Sequence, residues 1–372
     1  MKKLGVIVNP IAGLGGRVGL KGSDSLDIIN KARQMGARPE SPRRTVEALK
    51  LILKQKNQTQ VITYPAEMGE EECLAAGFEP EVIGSIISGG TTPEDTQTAA
   101  REMACAGVSL ILFAGGDGTA RNIYDAIGDK VPVLGIPAGV KIHSAVYAVT
   151  PRNAGEVAAM FLQGRLKKLR EAEVMDIDEQ AFREGVVSAR LYGYLRVPEE
   201  SRYIQHAKSR GALSGEETLQ GIAADVIAGM KEDDSYYIIG PGTTTRAVME
   251  RLGLKNTLLG VDVVRRRALV ASDVSENQLL DIVKDHQAKI IVTVIGGQGY
   301  LFGRGNQQIS PRVIQQVGKK NIVIIATKEK LISLSGRPLL VDTGDEELNK
   351  QLSSYMRVTT GFKDYVMYRV GY

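Results

Sequence analysis

The sequence predicts an α/β protein in which an N-terminal domain with a Rossmann-like parallel sheet is followed by a second, β-rich domain of the α+β type. In the first half, short apolar segments alternate with helix-compatible segments and several end in glycine turns, a pattern typical of parallel sheets covered by helices. Beyond residue 165, apolar and polar residues alternate as in antiparallel strands. We therefore predict domains at residues 1–164 and 165–342, with residues 343–372 returning to the first domain.

The composition narrows the class of protein. An apolar fraction of 43% is ample for buried cores, and a net charge of +4 in 372 residues gives little reason to expect nucleic-acid binding. Two cysteines without metal-ligand spacing predict no disulfide framework and a cytoplasmic location. We expect no membrane association, because the N-terminal apolar run is too short for a signal peptide and other long apolar segments carry charges.

The first elements are a strand, a glycine turn and helices. The run Leu4 to Val8 predicts the strand, and Asn9 to Gly16 predicts the turn. Arg17 and Lys21 follow beside further glycines, which suits a polyphosphate tail; a surface loop with solvated cations is the alternative. Further along, the pattern predicts helices at 24–35, 42–54, 67–76 and 93–105, and strands at 60–64 and 82–87.

The most informative stretch runs from Ser109 to Asn122. An apolar run ends at paired glycines, a carboxylate follows, and a helix-compatible segment begins at Thr119, which can cap it. The glycines free the amides for a ligand, and the helix start favours phosphate. Phosphate would repel Asp117 unless this carboxylate holds a metal ion or accepts a proton from an attacking hydroxyl, which indicates phosphoryl transfer. An ordinary tight turn is the alternative.

The next segment repeats the sequence of strand and turn. Residues 131–136 predict a buried strand, and the turn after it carries Lys141 and His143. For His143 we expect a core or capping role at least as much as a catalytic one. Because ligands of parallel sheets bind beyond the carboxyl ends of the strands, we expect Asn9, Asp117 and residues 88–92 to border one crevice.

The predicted second domain carries three polar, glycine-bearing segments. Gly240-Pro-Gly-Thr-Thr-Thr-Arg246 follows a strand and opens a helix, and its threonines offer hydroxyls and amides to a ribose or phosphate, although capping explains one or two of them. The basic segment Ser201 to Gly215 is either a lid over phosphates or a solvated loop. The run Gly296 to Asn306 is either a surface hairpin or a pyrophosphate site built from amides and Arg304.

These motifs resemble those of a known superfamily. Gly115-Gly-Asp-Gly-Thr119 is similar to the signature of NAD kinases, 6-phosphofructokinases and the diacylglycerol and sphingosine kinases, and Val8 to Gly15 resembles the phosphate loop of the diacylglycerol kinases. Asp234 with the threonine loop resembles the Asp and Thr-Pro-Thr-Gly-Ser-Thr of NAD kinases, and Ser333 to Leu340 resembles their Ser-Leu-Ser-Phe-Arg-Pro-Leu. The chain is thus identified as a member of a divergent NAD kinase branch, of the acetoin-catabolism-associated type.

The resemblance implies a kinase that transfers a phosphoryl group from ATP or polyphosphate to the 2′-hydroxyl of NAD, giving NADP. Asp117 would be catalytic, as a base or as a carboxylate that organises a metal ion. The donor phosphates, with Mg²⁺ whose protein ligands are unknown, would contact Asn9, Gly13, Gly15, Arg17, Lys21, Gly115, Gly116, Gly118 and Thr119. NAD would contact Asn122, Gly139, Lys141, Asp234, Gly242, Thr243, Thr244 and Thr245. Similar proteins are commonly oligomers, so we expect a homo-oligomer.

Two alternatives stay open. One is a kinase that acts on another small-molecule or lipid-like hydroxyl, because Pro137-Ala-Gly139 replaces the Asn-Thr-Gly of NAD kinases and their Asn-Glu acceptor motif is not recognisable. The lack of an amphipathic anchor argues against membrane lipids as acceptors. The other is a regulator that binds nucleotides and transfers nothing.

Overall fold

A computed structural model describes residues 1–20, 26–139, 142–177, 189–200, 215–230, 234–257, 259–295 and 298–372. The chain forms two compact units. Unit 1 comprises Met1–Leu14, Gly22–Arg33 and Arg38–Ala207, and unit 2 comprises Gly15–Lys21, Gln34–Ala37 and Lys208–Tyr372. The domain boundaries at residues 164 and 342 stay a prediction.

A parallel sheet organises unit 1 and confirms the predicted α/β fold. Its strands are β1 (Lys2–Val8), β2 (Thr59–Thr63), β3 (Glu81–Val82), β4 (Leu110–Gly115) and β5 (Val133–Pro137), in the order β3-β2-β1-β4-β5. The helices are α1 (Leu26–Gln34), α2 (Ser41–Ile52), α3 (Glu70–Ala75), α4 (Pro93–Cys105), α5 (Asp117–Ile127) and α6 (Pro151–Leu162). The strand predicted at 82–87 is limited to the two residues of β3.

The central strands β1 and β4 carry the core of unit 1. The residues from Leu110 to Ala114 are fully buried, as are those from Val6 to Val8. Strands buried on both faces consist of continuous apolar runs instead of alternating patterns, which is why the sequence shows such runs here. A Cβ on Gly5 would lie 2.8 Å from the sulfur of Met103, so α4 packs directly on the backbone of β1.

Helices α2 and α6 approach each other closely at Gly155. A Cβ at this position would overlap the carbonyl oxygen of Ala48 and would lie 2.9 Å from Cβ of Leu51. The distance between the helices therefore requires glycine in the middle of α6.

An antiparallel hairpin, β6 (Leu169–Ile177) and β7 (Ala189–Pro198), belongs to unit 1. The Ala145 amide donates to the Glu173 carbonyl oxygen at 2.8 Å, and a Cβ on Gly193 would overlap the ring of Tyr124. The Tyr192 hydroxyl donates to the Asp125 carboxylate of α5 at 3.0 Å. The antiparallel strands expected in the second domain are thus formed, but their contacts are with the helices and loops of unit 1.

Buried Glu72 on α3 makes the stability of unit 1 depend on pH. Its side chain is 3% exposed, and burial raises the pKa of this carboxyl from 4.5 to about 7. The folded state therefore binds a proton more tightly than the unfolded state, and this contribution to stability is full below pH 4.5 and lost as pH rises through 7.

We expect the free energy of unfolding of Glu72→Gln, minus that of the native protein, to be about 3 kcal/mol larger at pH 8 than at pH 5. Urea unfolding of both proteins at the two pH values measures this difference, from which any pH-independent cost of the amide cancels. Glu79→Gln is the matched control, because the Glu79 side chain is 90% exposed. Equal differences between native and Glu72→Gln protein at both pH values would contradict the prediction.

A mixed sheet forms unit 2 and confirms the predicted β-rich second domain. Its order is β10-β9-β8-β11-β13-β15-β16-β14-β12. The strands are β8 (Tyr236–Ile239), β9 (Asp262–Arg265), β10 (Ala268–Ala271), β11 (Ala288–Thr293), β12 (Tyr300–Phe302), β13 (Ile322–Ile325), β14 (Leu339–Val341), β15 (Tyr355–Gly361) and β16 (Asp364–Gly371). The helices are α7 (Glu216–Ala228), α8 (Thr243–Arg251), α9 (Glu276–Val283), α10 (Pro311–Val317), α11 (Lys328–Ile332) and α12 (Glu346–Leu352).

Residues 343–372, for which the sequence predicts a return to the first domain, instead lie in unit 2. Strand β15 pairs with β13 on one side and with β16 on the other, and β16 also pairs with β14. The final hairpin is therefore an interior part of the unit 2 sheet. Among the described residues of both units, no helix combines the length and apolar character needed to cross a membrane.

Candidate functional site

The turns after β4 and β5 meet backbone to backbone. Helix α5 begins at Asp117, and Gly116 is its N-cap residue. The amides of Ala138 and Gly139 donate to the carbonyl oxygen of Gly115 at 3.0 and 2.9 Å. A Cβ on Gly139 would lie 2.8 Å from Cα of Gly116. Glycine is needed at position 139 because a Cβ would meet the backbone of Gly116, and at position 115 because a Cβ would overlap the side chain of Thr119.

The carboxylate of Asp117 is held by the segment that follows β5. Its Oδ2 accepts from the His143 amide at 2.8 Å, and its Oδ1 accepts from the Ser144 amide at 3.0 Å. The Nδ1 atom of His143 lies 3.5 Å from Oδ2, and the side chains of His143 and Asp117 are 6% and 10% exposed. Two amides fix the orientation of the carboxylate, and each oxygen retains a lone pair that can accept a proton.

Asn9 connects the end of β1 to the same turn. Its Nδ2 donates to Oγ1 of Thr119 at 3.0 Å, and its carbonyl oxygen accepts from the Ser41 hydroxyl at 2.6 Å. Thr119 is therefore not the helix cap expected from the sequence, because it lies two residues inside α5 and its buried hydroxyl binds Asn9. Gly13, at φ +83°, packs next to the carbonyl oxygen of Ala138. The structure thus brings Asn9, Gly13, Gly115, Gly116, Asp117, Thr119 and Gly139 together at neighbouring strand ends.

Two residues that the sequence analysis missed support this turn. The Tyr147 hydroxyl donates to the Gly116 carbonyl oxygen at 2.5 Å, and its ring fills the space where a Cβ on Gly135 would lie. Buried Arg44 of α2 donates to the carbonyl oxygen of Pro137 at 2.9 Å. Both bind backbone oxygens that any residue could supply, so no local pattern could have revealed them.

The remaining predicted site residues are not among the residues joined by these contacts. Gly118 and Asn122 follow Asp117 on α5. Gly15 and Arg17 belong to unit 2, where the Arg17 carbonyl oxygen accepts from the amide of Glu276 at 3.1 Å. Residues 88–92, expected in the same crevice, start with Ser88, whose hydroxyl donates to Glu67 at 2.9 Å. Lys21, Lys141 and nearly all of the Ser201 to Gly215 segment lie outside the described residues.

The threonine loop of unit 2 forms the start of α8. Gly242 takes φ +136°, and a Cβ there would overlap the side chain of Thr293. The Thr245 hydroxyl donates to the Gly242 carbonyl oxygen at 2.9 Å. Lys330 of α11, which the sequence analysis missed, donates from Nζ to Oγ1 of buried Thr244 at 2.9 Å. A cation therefore lies beside the loop expected to bind an anionic ligand.

Asp234 lies at the opposite end of β8 from the threonine loop. The four residues of β8 separate them, which amounts to about 13 Å of extended chain. The Asp234 carboxylate contacts Arg265 at 3.1 Å and Arg266 at 2.5 Å, and the hydrogen bond from Arg266 holds its pKa below the usual value. The structure does not bring Asp234 together with Thr243, Thr244 and Thr245.

No cluster of three or more His, Cys, Asp and Glu side chains suited to a metal ion occurs among the described residues. At the glycine turn, Asp117 is the carboxylate at the first position of α5, and backbone amides of the segment after β5 hold it. Mg²⁺ in kinases is typically held by one or two carboxylates and by the phosphates of the substrate. A single carboxylate at this turn is compatible with an ion that enters together with a nucleotide.

Comparison with known proteins gives matches over both units. A family model described as the ATP-NAD kinase N-terminal domain matches residues 4–166, and one described as the ATP-NAD kinase C-terminal domain matches residues 232–370. No curated protein matches.

Similar solved structures come from Bacillus anthracis str. Sterne, where they are described as a diacylglycerol kinase or a candidate one. The first shares 18% identity at a TM-score of 0.25 and covers 48% of this chain and 44% of that chain. Another shares 18% identity at a TM-score of 0.22, covering 48% and 46%. The matched region spans less than half of either solved structure.

Proposed function

The chain belongs to the ATP-NAD kinase family and is a phosphotransferase of the kinase type, and from this premise we propose that it phosphorylates the 2′-hydroxyl of NAD to give NADP. The donor is ATP or polyphosphate. The observation that carries this proposal is the position of the Asp117 carboxylate. Asp117 begins α5 beside a glycine turn, and the backbone amides of His143 and Ser144 hold its carboxylate.

In the proposed reaction, Asp117 accepts the proton of the acceptor hydroxyl. The hydroxyl oxygen then forms a bond to the terminal phosphorus of the donor, and the bond from that phosphorus to the bridging oxygen breaks, releasing ADP or a shortened polyphosphate. Positioning and charge stabilisation supply most of the catalysis in such transfers. Mg²⁺ would neutralise charge on the donor phosphates, with Asp117 as its candidate protein contact.

The proposed ligand contacts form one set for the donor phosphates and one set for the dinucleotide. Asn9, Gly13 and the turn from Gly115 to Thr119 would contact the donor phosphates through backbone and amide groups. Gly15, Arg17 and Lys21 are further proposed contacts of the donor phosphates. For the dinucleotide we propose Gly139, Lys141, Asn122 and the loop from Gly242 to Thr245, with Lys330 added to the set. Asp234 is left out because it pairs with arginines at the far end of β8.

A kinase for another hydroxyl is the second candidate. It is favoured by Pro137-Ala-Gly139, which replaces the expected Asn-Thr-Gly at the end of β5. In both candidates the carboxylate and the glycine turn do the same chemistry, so the acceptor is what an experiment has to identify.

The test is transfer of ³²P from labelled ATP, with Mg²⁺, to a panel of acceptors: NAD, NADH, adenosine, glycerol and short-chain diacylglycerol. Polyphosphate replaces ATP in a parallel series, and NADP is detected by a coupled dehydrogenase. The proposal expects label in NADP and much less in the other acceptors. Label in another acceptor but not in NADP would support the second candidate. Binding of NAD without any transfer would support a regulator.

A further inference from the structure

Arg304 is a buried cation for which the described residues supply no hydrogen-bond acceptor. It lies in the loop between β12 and α10 and is 4% exposed. In the part of the chain that the structure describes, its Nε, Nη1 and Nη2 atoms have no hydrogen-bond partner. The guanidinium carbon lies 4.5 Å from the centroid of the Tyr300 ring, which is a favourable contact for one face of the group. It leaves the five N–H donors at the rim unsatisfied.

An uncompensated charge in a protein interior carries a large free-energy cost, so buried arginines are normally paired. A guanidinium is always charged and cannot escape this cost by losing its proton. The position of the Arg304 guanidinium is therefore explained best by a ligand that binds from solvent and supplies the hydrogen-bond acceptors. A planar fork of N–H donors matches the paired oxygens of a phosphoryl group.

The loop around Arg304 is built to hold one conformation. Buried Asn306 accepts from the amide of Gly303 at 3.1 Å and donates to the carbonyl oxygen of Leu301 at 2.9 Å. Gly303 takes φ +119°, and a Cβ there would lie 2.5 Å from the carbonyl oxygen of Asp342. Residues 298–306 are buried or partly buried and internally bonded, so the described part of this segment does not form the surface hairpin considered from the sequence.

The glycine turn from Gly15 to Leu20 lies next to this loop within unit 2. A Cβ on Gly16 would overlap the side chain of Gln307, and one on Gly19 would lie 3.6 Å from Nε2 of Gln308. Gln307 and Gln308 follow Arg304 by three and four positions. The turn therefore contacts the same loop that carries Arg304, and the glycines of the turn allow this close approach.

We propose that Arg304 binds a phosphoryl group of a nucleotide, in the loop of unit 2 that the Gly15 to Leu20 turn contacts. Which nucleotide it is rests on the proposed function, whereas binding of a phosphate does not. The phosphate belongs either to the triphosphate of the donor or to the pyrophosphate of the dinucleotide. Both sources offer the same phosphoryl oxygens, and measuring the binding of ATP and of NAD distinguishes the two sources.

The first experiment uses the whole protein and measures the midpoint temperature of the thermal unfolding of unit 2. Inorganic phosphate or pyrophosphate is added at increasing concentration, and chloride at equal ionic strength is the reference. We expect the midpoint to rise with both anions in the native protein. Arg304→Met should show no rise, and its midpoint in chloride should equal or exceed that of the native protein because the buried charge is gone. Arg312→Met, which removes an exposed arginine of α10, should behave like the native protein.

Arg304→Lys guards against a variant that fails to fold, since it keeps the charge but loses the fork, and a reduced phosphate effect is expected. Native protein without any anion effect, or Arg304→Met with the full effect, would overturn the proposal. So would Arg304→Met that is destabilised equally in phosphate and chloride, because this identifies a structural role.

The second experiment measures binding of ATP and of NAD by calorimetry. Arg304→Met should weaken one of them by roughly 10-fold or more, as expected for a lost charged hydrogen bond. Weaker ATP binding assigns the site to the donor, and weaker NAD binding assigns it to the dinucleotide. Unchanged binding of both refutes the site. If the chain forms no NADP while the anion effect still requires Arg304, the proposed function fails and this inference stands.

Discussion

Asp117→Asn should lower the rate of phosphoryl transfer by roughly 10²-fold or more, the usual scale for the loss of a positioned proton acceptor. The variant keeps the size of the side chain, but its amide group cannot accept the proton. The amide would also place an N–H group against the backbone amide of His143 or Ser144, which the carboxylate satisfies in the native protein. We therefore also expect a loss of stability of about 1–3 kcal/mol.

Initial rates at saturating ATP and acceptor, together with urea unfolding, separate the two effects. Asp125→Asn is the matched control, because Asp125 lies on the same helix and binds the hydroxyl of Tyr192 on the hairpin. It should leave the rate within about two-fold, since surface changes have small effects. Near-native turnover of folded Asp117→Asn would mean that Asp117 only ties α5 to the segment after β5.

Gly155→Val should lower the free energy of unfolding by about 3 kcal/mol, the upper part of the range for overpacked cores. The new side chain would push against the carbonyl oxygen of Ala48 and against Leu51. Both belong to α2, whose backbone cannot move without disturbing Arg44 and its bond to Pro137. The gain in helix propensity over glycine is well below 1 kcal/mol for valine, so the steric cost dominates.

Chemical denaturation measures this effect, with Gly229→Ala as the control. Gly229 ends α7 at φ −83°, and a Cβ there would meet its nearest atom at 3.4 Å. This substitution should be neutral or stabilise the protein by a few tenths of a kcal/mol. A valine at 155 that costs less than about 1 kcal/mol would show that the two helices can separate cheaply.

Much of the fold follows from local patterns in the sequence. The apolar runs of β1 and β4 are buried strands because helices cover both faces, and α4 has the predicted bounds, Pro93–Cys105, because Thr92 and Asp95 form a capping box. The turn at Gly115 to Asp117 is also local, since Gly115 ends β4, Gly116 is the N-cap of α5 and Asp117 begins the helix. Such features depend on residues close together in the chain.

Other features depend on partners that no local pattern reveals. Alternation predicts β6 and β7 as a hairpin, but not the unit on which it packs, which is decided by contacts such as Gly193 with Tyr124. The partners of Asp117 are backbone amides 26 and 27 positions away. Asp234 fits a family spacing, yet Arg265 at the end of β9 and Arg266 after it determine what it contacts.

The place of β16 has a consequence for synthesis on the ribosome. Strands β12 and β14 join the unit 2 sheet through β16, and the turn from Gly15 to Leu20 packs on residues of the same unit. Strand β14 cannot pair with β16 before residue 371 has left the exit tunnel, and the early turn cannot reach its neighbours Glu276 and Gln307 before these residues have left it. The parallel sheet of unit 1 is translated earlier, so we expect it to form first and the early turn to wait until these residues of unit 2 have been synthesised.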